Sequence, residues 1–382
     1  MGADAHADFD VIIIGGGLGG LALSILLQKD DFRVLVLEKD DYPRHKVCGE
    51  YVSLESWPFL EHLGMPLEAM SLPRITRLEV TDTRGRGLKM RLPLGGFGIS
   101  RWALDKSFAE LAIALGVQVK KRCRADAVRR EGGTFLVEAD GAHHTARLVC
   151  GAWGKRSNMD MKLQRPFTKN SRSALNNFIG IKHHLRSPFP EDLIALHNFE
   201  GGYCGVVRVE DGRTCACYLT TAAVLKAHSG DIAAMERAVL RKNPALESIF
   251  SGAENLYEAP LAISQISFQQ KEAVLDGILM VGDTAGLITP LCGNGMSMAF
   301  RSAKLAYQCC VPFLKGVDTR STMEANYRNG WKKLFSRRLA VGRAVQSRFG
   351  SPRATTAFLS LMKALPFLQA PLVRATHGRS FD

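Results

Sequence analysis

The chain predicts an α/β fold: a mostly parallel sheet, an inserted antiparallel-sheet domain and a helical C-terminus. Three stretches predict it. The first is Asp10–Glu38, where the apolar run Val11–Ile14 meets Gly15-Gly16-Gly17-Leu18-Gly19-Gly20, a helical pattern and a second apolar strand, Val34–Leu37. The second is a set of short alternating segments between Phe178 and Thr220, separated by turn residues. The third is Gly277–Ala299, a buried strand ending in Gly282-Asp283, then a loop and Gly293-Asn294-Gly295 entering a helix.

An unbroken apolar strand suits the centre of a parallel sheet, buried on both faces. Gly15, Gly17 and Gly20 satisfy G-x-G-x-x-G. The first glycine permits the tight turn, the second lets a diphosphate touch backbone, and the third lets helix and strand pack closely. The helix start then presents free N–H groups to the phosphates. Glu38 follows about 20 residues on, where an acid can hold ribose hydroxyls. This order of elements predicts a Rossmann-type dinucleotide site and leaves the dinucleotide unnamed.

At 382 residues the default is two domains. With 46% hydrophobic and 23% charged residues the composition is that of a soluble globular protein. No stretch approaches the roughly 18–20 apolar residues of a membrane span, and MGADAHADFD has neither a basic nor an apolar signal region. Nine scattered cysteines without C-x-x-C spacing argue for reduced thiols in a cytoplasmic enzyme, without a disulfide framework or metal site. Of the net charge of +13, about nine reside in 331–382, with ten Lys/Arg and one acid. That tail suits a solvated basic helix or an anionic partner, a membrane surface or acidic carrier protein. Nucleic acid is discounted, because no recognition module accompanies the charge.

In chain order, Lys39–Glu50 is a loop at the sheet edge that lines the ligand crevice. Arg44 and Lys46 bring positive charge there. Cys48 is either a reactive thiol beside Lys46 or a small residue packed on the ligand. A helix over Ser53–Leu63 stops at Gly64, and Ile75–Thr81 with Leu88–Leu92 forms a hairpin outside the parallel sheet. Arg101 opens the helix Trp102–Leu115, where its guanidinium can meet a phosphate or stay at the surface. Val117–Lys120 is a strand, and Ala125–Arg130, Thr134–Ala139 and Thr145–Cys150 form an antiparallel meander.

From Met161 onward short strands predict the second domain: Phe178–His184, Leu193–Phe199, Tyr203–Val209 and Thr214–Thr220. Helices Ile232–Lys242 and Pro244–Phe250 follow. His183 and His184, adjacent on a strand, point to opposite faces and make poor joint metal ligands. With no carboxylate cluster attending them, they read as surface or pocket-lining residues. In the return stretch, Asp283 can accept from sugar or ribityl hydroxyls, and the N–H groups around Gly295 and Met296 can stabilise charge on a heterocycle. Phe358, Leu361, Met362 and Leu365 give the last helix an apolar stripe, for packing or for a membrane surface.

Taken together, these motifs resemble the single-component FAD oxidoreductases with a glutathione-reductase-like fold, in the branch shared by geranylgeranyl reductases, aromatic-ring monooxygenases and flavin halogenases. The likeness rests on G-x-G-x-x-G with Glu38, Lys46-Val47-Cys48-Gly49-Glu50, Ser100-Arg101-x-x-Leu104-Asp105, and Gly282-Asp283 with Gly293-Asn294-Gly295-Met296. It implies that Gly15, Gly17 and Gly20 hold the FAD diphosphate and Glu38 the adenosine ribose. Lys46, Gly49 and Glu50 run along the cofactor, with Cys48 close by as a candidate catalytic residue. Arg101 reaches the diphosphate or ribityl region, Ala125 the adenine side, Asp283 the ribityl or diphosphate, and Gly295 and Met296 the flavin pyrimidine edge. The resemblance also implies discontinuous domains: FAD binding in 8–72, 98–160 and 275–315, substrate binding in 73–97 and 161–274, and a basic helical region in 316–382.

Three departures narrow the activity. Trp153 stands where the family's Gly-Ala-Asp-Gly has aspartate. The Trp-x-Trp-x-Ile-Pro of halogenases is missing. So is the Tyr-x-Trp-x-Phe-Pro of geranylgeranyl reductases, expected near Gly202-Tyr203-Cys204-Gly205. The leading expectation is an NAD(P)H-using monooxygenase of a hydrophobic aromatic or polyketide-like small molecule, free or carrier-bound. The alternative is a reductase of isoprenoid or lipid C=C bonds, and a flavin carrier or sensor without turnover is a third.

Overall fold

Phe9–Ile14 lies between two parallel neighbours, Val34–Leu37 and Ala142–Gly151, with Ile14 opposite Leu37 on one side and Gly151 on the other. The computed structural model describes residues 7–169, 176–290, 293–346 and 350–382. The N-terminal residues 1–6 and Leu291-Cys292 of the return loop, both read above, lie outside the described residues. Across the first sheet the order is Val274–Leu275, Ile278–Met280, Ala142–Gly151, Phe9–Ile14, Val34–Leu37 and Gln118–Lys120. Only the first of these pairings is antiparallel. Ala142–Gly151 serves two partners: it closes the meander with Thr134–Ala139 and also joins the parallel core. The helices Leu18–Gln28, Arg101–Ala114 and Gly295–Leu314 pack beside one another over this sheet. Sequence-remote segments thereby bring two helix starts to one sheet edge.

The second sheet runs Glu254–Asn255, Phe178–Arg186, Thr214–Thr221, Gly202–Arg208, Leu193–Phe199, Arg74–Thr81, Gly87–Gly98 and Tyr51–Ser53. It departs from the expected antiparallel pattern at one place, where Leu193–Phe199 pairs in parallel with Arg74–Thr81. A parallel pair needs a long crossover, which the intervening meander and first-sheet strand supply. Tyr51–Ser53 is a strand that the sequence reading missed; the helix proper begins at Trp57 and ends at Gly64, whose φ of 100° suits glycine.

Beyond the sheets come the helices Arg320–Gln346, Pro352–Ala364 and Gln369–Thr376. The expected stripe on the second is shifted in phase: Leu359 and Met362 are buried, whereas Leu361 is 48% exposed. The packed face is set by the second sheet, against which Leu359 and Phe358 lie with Val80 and Leu196. No single helix among the described residues is long and apolar enough to cross a membrane.

Candidate functional site

The glycine-rich turn divides its labour. Gly15 has φ 109°, and a Cβ there would fall 2.4 Å from the Ala152 carbonyl. A Cβ on Gly20 would fall 2.2 Å from the Gly15 carbonyl, so Gly20 keeps helix and strand in contact. Gly17 instead faces open space, with Lys46 Nζ 3.9 Å from where its Cβ would be. No side chain caps the helix that begins after it, which leaves first-turn N–H groups for a ligand. Val34–Leu37 delivers Glu38, whose Oε2 accepts from Gly16 N–H at 2.8 Å and Oε1 from Arg44 at 2.8 Å. Burial pushes the Glu38 carboxyl up, but Arg44 and Lys46 outweigh it and hold it below its ordinary value.

Lys46 and Arg101 converge on Asp105. Lys46 Nζ sits 2.6 Å from Asp105 Oδ2, and Arg101 grips the same carboxylate with Nε and Nη2 at 2.7 and 2.9 Å. Burial lowers the Lys46 ammonium to about 8, despite Asp105. The same burial works against Arg101, but Asp105 raises it further, so the guanidinium stays charged.

At the other end, Ile278–Met280 leads into Gly282, whose N–H donates to Ser302 Oγ at 2.8 Å and ties the turn to the following helix. Asp283 comes next, and desolvation pushes its carboxyl up. Asn294 supplies no side-chain cap to the helix starting at Gly295. This helix start, like the one after Gly17, has no side-chain cap. Between the two lies a cavity of about 550 Å³. Gly15, Gly17, Glu38, Lys46, Cys48, Gly49, Glu50, Arg101, Ala125, Asp283, Gly295 and Met296 all line it. Gly20 alone of the expected residues stands behind the wall. Trp153 also lines the cavity, its Nε1 donating to Asp160 at 2.8 Å.

Glu50 is the most constrained group. It adopts a left-handed φ of 55° and is fully buried. Its Oε1 accepts from Arg101 N–H at 2.7 Å and from Lys182 Nζ at 2.5 Å, while Oε2 meets His184 Nε2 at 2.5 Å. Burial would raise its carboxyl, but the His184 hydrogen bond and the Lys182 charge hold it at about 2. The same pairing keeps Lys182 above its ordinary value against burial.

This corrects the reading of the two histidines. Both are buried, and each has a carboxylate: His184 has Glu50, and His183 Nε2 has Glu236 at 2.8 Å. Their opposite orientations follow from strand geometry. Lys182, fully buried, was not anticipated at all. Its one signal was a lysine that follows the apolar residue Ile181 within a strand, a place that demands a partner if the strand is buried. Cys215 Sγ lies within 4.8 Å of Glu50 and His184 ligand atoms, a donor set in which Glu50 is already engaged by Lys182.

The remaining cavity wall comes from the second sheet and the return loop: Leu196, Tyr203, Leu219, Ile263, Ile266 and Leu287. One end of the cavity is thus basic and ringed by backbone donors, and the other is apolar.

A parallel α/β sheet with two open helix N-termini on one crevice defines a protein for a long, two-ended dinucleotide. The chain belongs to the FAD binding domain family, whose model matches residues 8–325. That family places it among FAD-dependent oxidoreductases. It is 23% identical over 342 residues to Digeranylgeranylglycerophospholipid reductase 2 of Methanopyrus kandleri, covering 86% of this chain and 84% of that one. Over 342 residues it is 20% identical to the brominase of 1H-pyrrole-2-carbonyl peptidyl-carrier protein from Pseudoalteromonas luteoviolacea, covering 85% and 83%. The solved structure of PqsL from Pseudomonas aeruginosa with 2-aminobenzoylacetate shares the fold, with TM-score 0.71, 18% identity and coverage of 91% and 98%.

FAD, the group the family implies, fits these residues. The open face of Gly17 leaves room for a diphosphate, Lys46 and Arg101 would offer it one positive charge beyond that neutralised by Asp105, and the uncapped start at Gly295 would suit an electron-rich ring edge.

Proposed function

We propose that the protein is an NAD(P)H-using, FAD-dependent monooxygenase acting on a hydrophobic aromatic or polyketide-like small molecule. The observation that carries this reading is the apolar half of the cavity, which continues from Gly295 and Met296 into side chains of the second sheet. Bound flavin supplies the redox chemistry, accepting reducing equivalents and activating oxygen. The chain's own residues do the rest. Gly15, Gly17, Lys46 and Arg101 hold the diphosphate, Glu38 the ribose, and Ala125 lies on the adenine side. Asp283 binds the ribityl region, and Gly49 and Glu50 flank the cofactor. Gly295 and Met296 N–H groups stabilise negative charge on the ring as it is reduced. Leu196, Leu219 and Ile263 keep water from the substrate and orient it by shape.

A second reading, reduction of C=C bonds in an isoprenoid or lipid, draws on Cys48 in the cavity wall as a proton source. Likeness to the Methanopyrus reductase supports it. Delivery on a carrier protein, or from an anionic membrane met by the basic C-terminal helices, belongs to the same proposal. Leu361, Phe367, Arg353 and Lys363 are all exposed in this region.

Oxidation of NAD(P)H by the flavin-loaded protein, with and without oxygen, separates the readings. Substrate-stimulated oxygen uptake is expected with an aromatic or polyketide panel. Oxygen-independent saturation of prenyl substrates would instead establish the reductase. A folded protein that retains no FAD on reconstitution would sink both.

A further inference from the structure

A second cavity, about 100 Å³, lies beyond Tyr51 from the first, between the second sheet and the C-terminal helices. Leu78, Leu88 and Met90 of the hairpin face Phe358, Leu359 and Met362 of the helix Pro352–Ala364 across it. The polar groups at its rim are committed elsewhere: Gln369 Nε2 donates to the Met362 carbonyl at 2.9 Å, and His377 Nδ1 meets the Val373 carbonyl at 2.9 Å.

The two cavities share one wall, made of Tyr51, Ile194, Leu196 and Gly293. Tyr51 is 5% exposed, and its hydroxyl donates to the Gly95 carbonyl at 3.2 Å. Its ring fits between two glycines. A Cβ on Gly96 would fall 2.2 Å from it, and one on Gly293 2.9 Å. Among the described residues, that ring, Gly293 and the side chains of Ile194 and Leu196 separate the apolar end of the first cavity from the second. Protein interiors pack to crystal density, and an unfilled void forfeits dispersion contacts. Carbon-lined voids stay dry and take up apolar guests.

We propose that the second cavity receives the unbranched aliphatic tail of the substrate, whose reacting head occupies the first cavity. This rests on the reading of the first cavity as the substrate site. The ligand class is an aromatic or polyketide-like head bearing an alkyl or acyl chain, threaded past Tyr51. The pair Leu88 and Met362, on opposite walls, sets how long a chain is accepted.

Binding of para-alkylphenols, from ethyl to octyl, to the flavin-loaded protein tests this by calorimetry together with the flavin absorbance spectrum. Once the chain passes Tyr51, each methylene should tighten binding about fourfold until the cavity is full. Met362→Trp and Leu88→Trp fill the cavity from either side. Both should retain FAD and the phenol-induced spectral change but lose the gain with chain length. Leu88→Ala, which enlarges the cavity, should move the plateau to a longer chain. A series flat in the unmodified protein, or a gain unchanged in the filled variants, overturns the proposal. A gain that the filled variants abolish, without any flavin spectral change, supports the tail site and overturns the placement of the head.

Discussion

Lys46 carries the clearest pH signature of any single residue in the site. Its ammonium is held near 8 against an ordinary 10.5, because burial costs more than Asp105 returns. An anionic diphosphate prefers the protonated form. FAD affinity is therefore expected to be highest below pH 8 and to fall as pH rises through that value. Lys46→Met should weaken FAD binding about tenfold at neutral pH, the worth of a charge-assisted contact, and should flatten the dependence. Flavin fluorescence titration between neutral and mildly alkaline pH checks both. Glu50 behaves oppositely. Its folded value of about 2 lies below the ordinary 4.5, so its stabilisation is complete above 4.5 and lost as pH falls through 2. Lys182→Met strands a buried carboxylate and should cost about 3 kcal/mol, measured by urea unfolding. The side-chain partners of Glu50, Lys182 and His184, were illegible in the sequence because they come from a strand more than a hundred positions away. A lysine inside a buried strand announces that it needs a partner without naming it.

At the scale of elements, the local signals carried well and the long-range ones did not. The strand Phe9–Ile14, the glycine turn and the return strand Ile278–Met280 were legible because burial on both faces and turn chemistry are written in consecutive residues. The parallel pairing of Leu193–Phe199 with Arg74–Thr81 was not, since nothing local distinguishes a parallel from an antiparallel neighbour. Tyr51–Ser53 was too short to show a period. The helix Pro352–Ala364 was legible, but its buried face was set by the sheet it meets, and the further helix Gln369–Thr376, which contains Pro371, was not expected. The open helix start after Gly17 yields a direct test. Gly17→Asp puts a carboxylate at the proposed diphosphate site, and the variant should fold with unchanged circular dichroism yet retain no flavin after reconstitution. Undiminished flavin would refute the assignment.

At the scale of the molecule, one arginine joins segments far apart in sequence. Arg165 is fully buried; its Nη1 donates to Asp160 at 2.9 Å and to the Thr284 carbonyl at 2.8 Å, and Nη2 donates to the Glu272 carbonyl at 2.9 Å. It thereby braces the return loop that carries Asp283. Lysine cannot reproduce a planar fork of donors. Arg165→Lys should destabilise the fold by about 3 kcal/mol and speed flavin release, followed by thermal unfolding and by dilution kinetics of the holoprotein.

The glycines that bracket Tyr51 bear on how such a catalyst could be retuned. No side chain can be added at Gly96 or Gly293 without meeting the ring, so these two glycines leave it the space it occupies. Alanine at Gly96 would press on the ring, whereas at Gly293, whose φ is 61°, it would also strain the turn that enters the Gly295 helix. A programme of directed evolution seeking new chain-length preferences should therefore begin at Gly96, before any larger remodelling of the pocket.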